Sequence, residues 1–320
     1  MHNENEITCL SGVWDYNGEA FRREVIVNVQ GKGHAVTAHD VWWSYMNLWS
    51  STTTWGGNNP PVTGDSVVIT YGEYIVLDVS PPELHLLTIQ GTLEFSHDVG
   101  DLALNASYIV LQYGRLIVGT EHEPFTSEAT ITLVGQRTAY ELPVYGAKTV
   151  AVRTGELILH GRPRISWTKL AETAHEGNTT IVVQDDTDWG IGDHLFLSST
   201  EYNQFEAEEV YITDVSADGR VIHISKPLLY DHWGEGWVAD DGSGDSMEAY
   251  RASVGLLTRN IVIQGDHVYS KAQTFGVQIV LSTESTTGDN PLLGQFSNVE
   301  VREAGQGMKI GKYPIHFHLV

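Results

Sequence analysis

The sequence predicts an all-β protein built as a stack of coils, a β-solenoid, and three features lead to this fold class. Short runs rich in aliphatic and β-branched residues are bounded by Gly, Asp, Asn or Pro, which favour turns. Residues that favour helices hardly ever recur at helical spacing. Gly91, Gly114, Gly135 and Gly155 precede equivalent runs, in steps of 23, 21 and 20 residues. Such a recurrence is typical of stacked coils. A β-sandwich shares the composition but has less reason to keep the spacing.

Three zones are expected along the chain. Residues 1–42 are interpreted as the end of a preceding β module followed by a linker. Residues 43–170 carry the regular glycine repeat, in which six strands are predicted at residues 67–69, 74–77, 86–89, 92–95, 108–111 and 115–118. Residues 171–320 are expected to continue as coils, with an acidic, glycine-rich loop at 240–245. The apolar alternation at 315–320 has no polar end segment, so we expect the natural sequence to continue beyond it.

Composition and charge exclude several functional classes. The 320 residues are 41% hydrophobic, enough for a sizeable core, and carry a net charge of −23. A surface this negative disfavours nucleic acid and anionic lipid as partners. No run of 18 apolar residues is present, and the first 30 residues have no signal-peptide pattern. The chain is therefore either cytosolic or a piece of a secreted or cell-surface protein.

Cysteine and glycosylation motifs leave the compartment open. Cys9 is the only cysteine, which excludes an intrachain disulfide and a CxxC metal site. It is either a free thiol or a half-cystine whose partner lies elsewhere. Two sequons, beginning at Asn105 and Asn178, are glycan acceptors if the chain is secreted.

Five glycine-containing segments form a recognisable series, namely 54–61 (TWGGNNPP), 64–69 (GDSVVI), 114–121 (GRLIVGTE), 155–161 (GELILHG) and 311–319 (GKYPIHFHL). Together they resemble the G8-domain family, which includes fibrocystin, fibrocystin-L, transmembrane protein 2 and the cell-migration-inducing hyaluronidase. The resemblance spans roughly residues 43–320. It implies a G8 domain joined to a right-handed parallel β-helix on an extracellular or cell-surface protein. The LWS lead-in at 48–50 resembles the fibrocystin branch, in which immunoglobulin-like repeats precede the G8 domain.

The first candidate site lies near residue 316. If Ile315 and Phe317 point into the core, the period of two in a strand places His316 and His318 together on the opposite face. Two imidazoles on one face can bind a divalent metal or serve as catalytic acid and base. Their suggested companions, for binding a sugar carboxylate, are the following residues: Arg302, Lys312, Tyr313 and Arg251. The alternative is an aromatic and polar face that supports the neighbouring coil.

Two acidic segments supply further candidates. Glu206 and Glu208 share a face if they lie on one strand, and paired carboxylates are the usual equipment of glycoside hydrolases. Asp240, Asp241 and Asp245 lie in a flexible acidic loop whose oxygens can bind Ca²⁺, although the spacing fits no EF-hand. Solvated glutamates on a strand and a solvated loop are the simpler interpretations.

Two functions remain as hypotheses. One is a non-catalytic extracellular module for adhesion or glycan recognition, with a glycan or an extracellular protein as its partner. The other is a hyaluronidase-like endoglycosidase that uses the histidine face and the carboxylates, with Ca²⁺ as a candidate cofactor. Hyaluronan is a polyanion, so a protein of charge −23 needs a concentrated basic patch or a bound cation to attract it. This charge argument favours the non-catalytic module.

Overall fold

A computed structural model describes residues 47–238, 250–283 and 292–318, together with short strands at 23–24, 28–29, 33–34, 42–43 and 246–247. Over these residues the chain is all-β, as predicted, with one seven-residue helix, α1 (His267–Gln273), and short 3₁₀ turns at Thr52–Trp55 and Gln204–Glu206. None of the helices described here is long and apolar enough to cross a membrane.

The strands are named in chain order. The first fourteen are β1 (Arg23–Glu24), β2 (Asn28–Val29), β3 (Gly33–His34), β4 (Trp42–Trp43), β5 (Asn47–Leu48), β6 (Ser66–Ile69), β7 (Tyr74–Leu77), β8 (Leu84–Ile89), β9 (Thr92–Phe95), β10 (Leu102–Gln112), β11 (Arg115–Val118), β12 (Ala129–Leu133), β13 (Thr149–Arg153) and β14 (Glu156–His160). The others are β15 (Trp167–Lys169), β16 (Thr180–Val182), β17 (His194–Leu197), β18 (Glu208–Val215), β19 (Val221–Ile224), β20 (Trp237–Val238), β21 (Ser246–Met247), β22 (Ser253–Leu256), β23 (Ile261–Gly265), β24 (Gln278–Ser282), β25 (Leu293–Ser297), β26 (Val299–Arg302) and β27 (Ile315–His318).

Two sheets contain only parallel strands. The larger has nine strands in the order β26-β23-β12-β10-β13-β24-β27, with β8 also on β10 and β6 on β8. The smaller has six strands in the order β25-β14-β11-β9-β7-β5. Strands of the two sheets alternate along much of the chain, so each turn between them is repeated one level higher in the stack. Predicted strands at 67–69, 74–77 and 92–95 fall within β6, β7 and β9.

The main core consists of aliphatic columns that run across these sheets. One column aligns Leu87, Ile109, Val150 and Ile279, and each of these side chains is 1% exposed or less. Burying an aliphatic side chain of this size contributes about 1.5–3 kcal/mol. Repetition of such columns stabilises the stack, because one strand pair alone cannot bury its apolar face.

Residues 167–256 differ from the predicted continuation of parallel coils. Here six strands form an antiparallel sheet in the order β15-β22-β17-β18-β19-β16, with a separate core around Trp189, Leu195 and Val210. The sheet is inserted between β14 and β23, because β23 returns to pair in parallel with β12 and aligns Ile261 with Ala129. The short connections within 208–224 permit hairpins, whereas parallel neighbours need long crossovers.

Three of the four glycines in the predicted repeat occupy equivalent turns in the structure. A Cβ at Gly91 would lie 2.3 Å from the carbonyl oxygen of Glu73, and one at Gly155 would lie 2.6 Å from the carbonyl oxygen of Gly114. Gly91, Gly114 and Gly155 therefore stack at the turn that leads into the smaller parallel sheet. Gly135 lies outside this stack and has ordinary space around it. The true separations are 23 and 41 residues, because the second of these coils contains an extra strand, β12.

The short strands of the N-terminal zone form two antiparallel pairs. Strand β1 pairs with β4, and β2 pairs with β3. The remaining residues up to 46, including Cys9, lie outside the described residues, so the interpretation of 1–42 as the end of a preceding module stays a prediction.

Candidate functional site

The two predicted histidines lie on the last described strand of the larger parallel sheet. Strand β27 pairs with β24, so that His316 aligns with Val280 and Ile315 with the buried Ile279. Ile315 and Phe317 continue the core columns but are 38% and 55% exposed, because no described strand pairs with the other edge of β27. The two imidazoles point away from these columns and are half-buried.

The histidine rings contact each other and Tyr313. Nε2 of His316 lies 3.2 Å from Nδ1 of His318, and the ring of His316 stacks on Tyr313 with centroids 5.5 Å apart and planes 6° apart. Lys312 is turned to another neighbour, since its Nζ donates hydrogen bonds to the carbonyl oxygens of Val144 and Tyr145. Burial lowers the pKa of the Lys312 ammonium. The structure thus brings His316, His318 and Tyr313 into one cluster.

Arg302 lies elsewhere, in a groove on another part of the described residues. This groove, of about 750 Å³, runs between the antiparallel sheet, α1 and the edge strand β26. An adjoining pocket of about 430 Å³ shares His194, Glu209, Glu300 and Arg302 with it. Such a volume is in the usual range for a small-molecule site.

One wall of the groove is an aromatic pair with a carboxylate. His194 on β17 and Tyr211 on β18 are directly opposed, and their rings stack with centroids 4.4 Å apart and planes 12° apart. Nε2 of His194 lies 3.1 Å from a carboxylate oxygen of Glu209. Tyr211 keeps 52% of its surface exposed, so its ring is accessible from the groove.

The opposite wall carries charged side chains in fixed positions. The Nε atom of Arg302 donates to the side-chain oxygen of Gln264 at 2.8 Å, and its Nη1 lies 3.6 Å from Glu300. A carboxylate oxygen of Glu303 lies 2.6 Å from Nδ1 of His267. The groove therefore offers aromatic surface on one side, with hydrogen-bond donors and acceptors on the other.

The structure does not pair Glu206 with Glu208 on one strand face. Glu206 ends a 3₁₀ turn, where its carboxylate accepts a hydrogen bond from Asn203 at 3.1 Å, and only Glu208 belongs to β18. Glu208 is 4% exposed and accepts hydrogen bonds from the backbone N–H groups of Leu229 and Tyr230. Its other contact is the buried His232, at 3.2 Å. Both carboxylates therefore hold loops in place.

Arg251 also has a structural position. Its Nη1 donates to the carbonyl oxygens of Leu170, Ala171 and Gly234, which ties together three segments of the antiparallel insertion. The acidic residues Asp240, Asp241 and Asp245 lie outside the described residues, so the calcium hypothesis stays a prediction. Among the residues that are described, no three His, Cys, Asp or Glu side chains are grouped to hold a metal ion.

Sequence reasoning missed the groove residues contributed by the insertion. The signal was present in the alternation of β18, where Glu208 and Val210 are buried while Glu209 and Tyr211 are exposed on the other face. Pairing Glu206 with Glu208 selected the inward face of this strand. The opposite wall of the groove could not be predicted from this alternation, because β26 lies about 90 residues further along the chain.

Comparisons with known proteins give a consistent family. Residues 54–171 match the G8 domain family. Human fibrocystin-L is 39% identical over 99% of this chain, which spans 8% of that protein. Dog fibrocystin is 33% identical over 68% of this chain, which spans 5% of that protein. A G8 domain-containing protein of Dictyostelium discoideum is 30% identical over 85% of the chain, which spans 23% of it.

Proposed function

Because residues 54–171 belong to the G8 domain family and the whole chain is related to fibrocystin-L, we propose that the chain is an extracellular, non-catalytic recognition module. Its ligand is a neutral glycan, bound in the groove between the antiparallel insertion and β26. The observation that carries the proposal is the accessible His194–Tyr211 stack facing Arg302 and Glu300 across that groove.

The arrangement suits a sugar ring. An exposed aromatic ring gives an apolar platform for a sugar face, while carboxylates and a guanidinium supply acceptors and donors for hydroxyl groups. The two walls belong to different elements, β18 and β26, each paired to neighbouring strands, so the platform and the polar groups are held before a ligand arrives. Such preorganisation lowers the entropic cost of binding.

Charge favours a neutral ligand over a polyanion. The groove and its adjoining pocket contain three carboxylates and three cationic side chains, namely Glu209, Glu300, Glu303, Lys271, Arg259 and Arg302. This local balance supplies no concentrated basic patch, and the whole chain carries −23. A polyanionic glycan would be repelled at long range.

The positions of the two carboxylates that were predicted to be catalytic also favour recognition over hydrolysis. A glycosidase needs two carboxyl groups on either side of the scissile bond. Glu208 is enclosed with His232, and Glu206 is engaged by Asn203 in a turn, so neither is placed for that role. We therefore propose recognition without catalysis.

For the fold, we propose that the two parallel sheets are faces of a right-handed parallel β-helix that the antiparallel sheet interrupts. Every described pairing in both sheets is parallel, and connections between parallel strands of one sheet are almost always right-handed. The G8 family match and the predicted domain at 43–170 are compatible with coils that begin near β5 and resume at β23.

Replacing Tyr211 by Ala tests the glycan site. We expect binding of a neutral oligosaccharide, found by screening the chain on a glycan array and measured by calorimetry, to weaken about tenfold, equivalent to about 1.4 kcal/mol. The reason is loss of the stacking platform. Arg302→Ala should weaken binding of the same oligosaccharide by removing the donors opposite.

The matched control is Tyr71→Ala, which removes a tyrosine that is 85% exposed and does not line the groove. Binding should be unchanged in this variant. Retention of wild-type affinity in Tyr211→Ala and Arg302→Ala, or preference for hyaluronan over every neutral glycan, would contradict the proposal.

The two sequons differ in accessibility, which gives a second expected result. Asn178 is exposed in a turn, where its side-chain oxygen accepts a hydrogen bond from the N–H of His175, whereas Asn105 is half-buried within β10 and aligned with Thr132. Glycans are carried on accessible loops. When the chain is secreted from animal cells behind a leader peptide, we expect Asn178→Gln to remove the N-glycan and Asn105→Gln to leave it, as read by peptide mapping. A glycan at Asn105 with none at Asn178 would refute this.

A further inference from the structure

The pair His316 and His318, outside the groove, has the geometry of a metal chelate. Nε2 of the first and Nδ1 of the second lie 3.2 Å apart. Two metal–nitrogen bonds of about 2.0–2.1 Å to nitrogens at this separation enclose an angle of about 100°, close to that of a tetrahedral site. In the metal-free protein one ring donates an N–H hydrogen bond to the other. When a cation binds between the two nitrogens, the proton of the donating ring moves to its other nitrogen, so that both rings stay neutral and both facing nitrogens bind the metal through their lone pairs.

The two rings are held in this arrangement by their surroundings. Pairing of β27 with β24 sets both side chains on the outer face, beside Val280 and Ser282. The ring of His316 is further fixed by its stack on Tyr313. Ser282 in turn is bonded through its hydroxyl to that of Tyr145 at 2.7 Å, so the strand next to the pair is anchored as well. A preorganised pair loses little side-chain freedom on binding a metal.

The donor type decides the class of metal. Imidazole nitrogen suits Zn²⁺, Ni²⁺ and Cu²⁺, whereas Ca²⁺ takes six to eight oxygen ligands. This site is therefore separate from the calcium hypothesis for the acidic loop. It is also separate from the proposed glycan groove, because neither histidine lines that groove.

We infer that His316 and His318 form a bidentate surface site for a divalent transition metal ion, with Zn²⁺ as its representative. Both nitrogens bind as neutral imidazoles, and the remaining coordination positions are filled by water, as in zinc sites that keep an open position. The inference stands on the geometry of β27 and its immediate neighbours, and it does not depend on the proposed function.

The test is a Zn²⁺ titration of the full chain followed by calorimetry. His2 and Cys9 are other potential ligands in the sequence, so the background for every sample is the double variant His2→Ala, Cys9→Ser. We expect one Zn²⁺ per chain, and we expect His316→Gln and His318→Gln each to weaken its binding at least tenfold. His122→Gln, which alters an exposed histidine elsewhere, should leave the affinity unchanged. Circular dichroism verifies that each variant is folded.

A second readout reports the ligands directly. Co²⁺ in place of Zn²⁺ should give visible absorption bands that disappear in His316→Gln and remain in His122→Gln. Absence of saturable binding at millimolar Zn²⁺, or stoichiometric binding that survives in the variant carrying both His316→Gln and His318→Gln, would overturn the inference.

Discussion

Gly114→Ala is expected to lower the free energy of unfolding by about 3 kcal/mol, because the new methyl group meets backbone atoms that cannot move away. Its Cβ would lie 2.3 Å from the carbonyl oxygen of Ile89 and 2.8 Å from that of Gly91, one level down in the stack. These atoms belong to the turn between β8 and β9, which is itself held in the parallel sheets on both sides. The clash of the new methyl group can therefore be relieved only if the stacked coils separate. Urea unfolding followed by tryptophan fluorescence measures the loss.

The control is Gly135→Ala, taken from the same sequence repeat. A Cβ there meets only the side chain of Lys148, whose Cβ lies at 3.7 Å and Cγ at 4.0 Å, and both are ordinary contacts. We expect a change below about 1 kcal/mol, as for substitutions away from tightly packed positions. Equal losses at Gly114 and Gly135 would show that the turn stack is not the reason for the glycine repeat.

Lys148→Met is expected to cost about 1–3 kcal/mol, since it leaves the half-buried carboxylate of Asp266 without its cation. The side chain of Lys148 is completely buried, and its Nζ lies 2.5 Å from Asp266, 2.9 Å from the hydroxyl of Ser270 and 3.0 Å from the carbonyl oxygen of Phe275. The pair joins the start of β13 to the N-terminus of α1, where Asp266 also caps the helix through Tyr269. Thermal and urea unfolding measure the effect.

The matched variants separate the charge from the packing. Asp266→Asn keeps the helix cap, because Asn caps as well as Asp, but leaves the ammonium of Lys148 unpaired. Lys148→Met combined with Asp266→Asn removes both charges, so we expect a smaller loss than in either single variant. A loss in the double variant equal to the sum of the single losses would show that the two groups do not interact.

The same pair gives a pH dependence with a definite sign. Burial alone would raise the pKa of Asp266, but hydrogen bonds from Lys148 and from backbone N–H groups of Tyr269 and Gly135 outweigh it and lower the pKa below 3.8. A lowered pKa in the folded state stabilises the protein above the unfolded value, and this contribution is lost as the pH falls through the folded value. The difference in stability between wild type and Lys148→Met should therefore be largest near pH 7 and shrink toward pH 3. A difference that grows on acidification would contradict the assignment.

Strands β27 and β18 show most clearly what could be predicted from the sequence and what could not. At β27, alternation of apolar and imidazole residues indicated two faces, and the structure has His316 and His318 side by side on the outer one. Strand β18 follows the same alternation, but the predicted pair, Glu206 and Glu208, is offset by one residue from the exposed face of the strand. The strand begins at Glu208, so Glu206 lies in a turn, and the accessible carboxylate is Glu209. Strand boundaries depend on the partner strand, which a single sequence does not reveal.

The sequence by itself determined the β class, the turn glycines and the alternation within strands, because these depend on local dihedral preferences and on a period of two residues. Only the tertiary structure decided that Ala129 pairs with Ile261 across an inserted antiparallel sheet, and that Glu208 is enclosed while Arg302 faces His194. These contacts join residues 24 to 132 positions apart. They are selected by the packing of whole sheets, since no local preference distinguishes one distant strand from another as a partner.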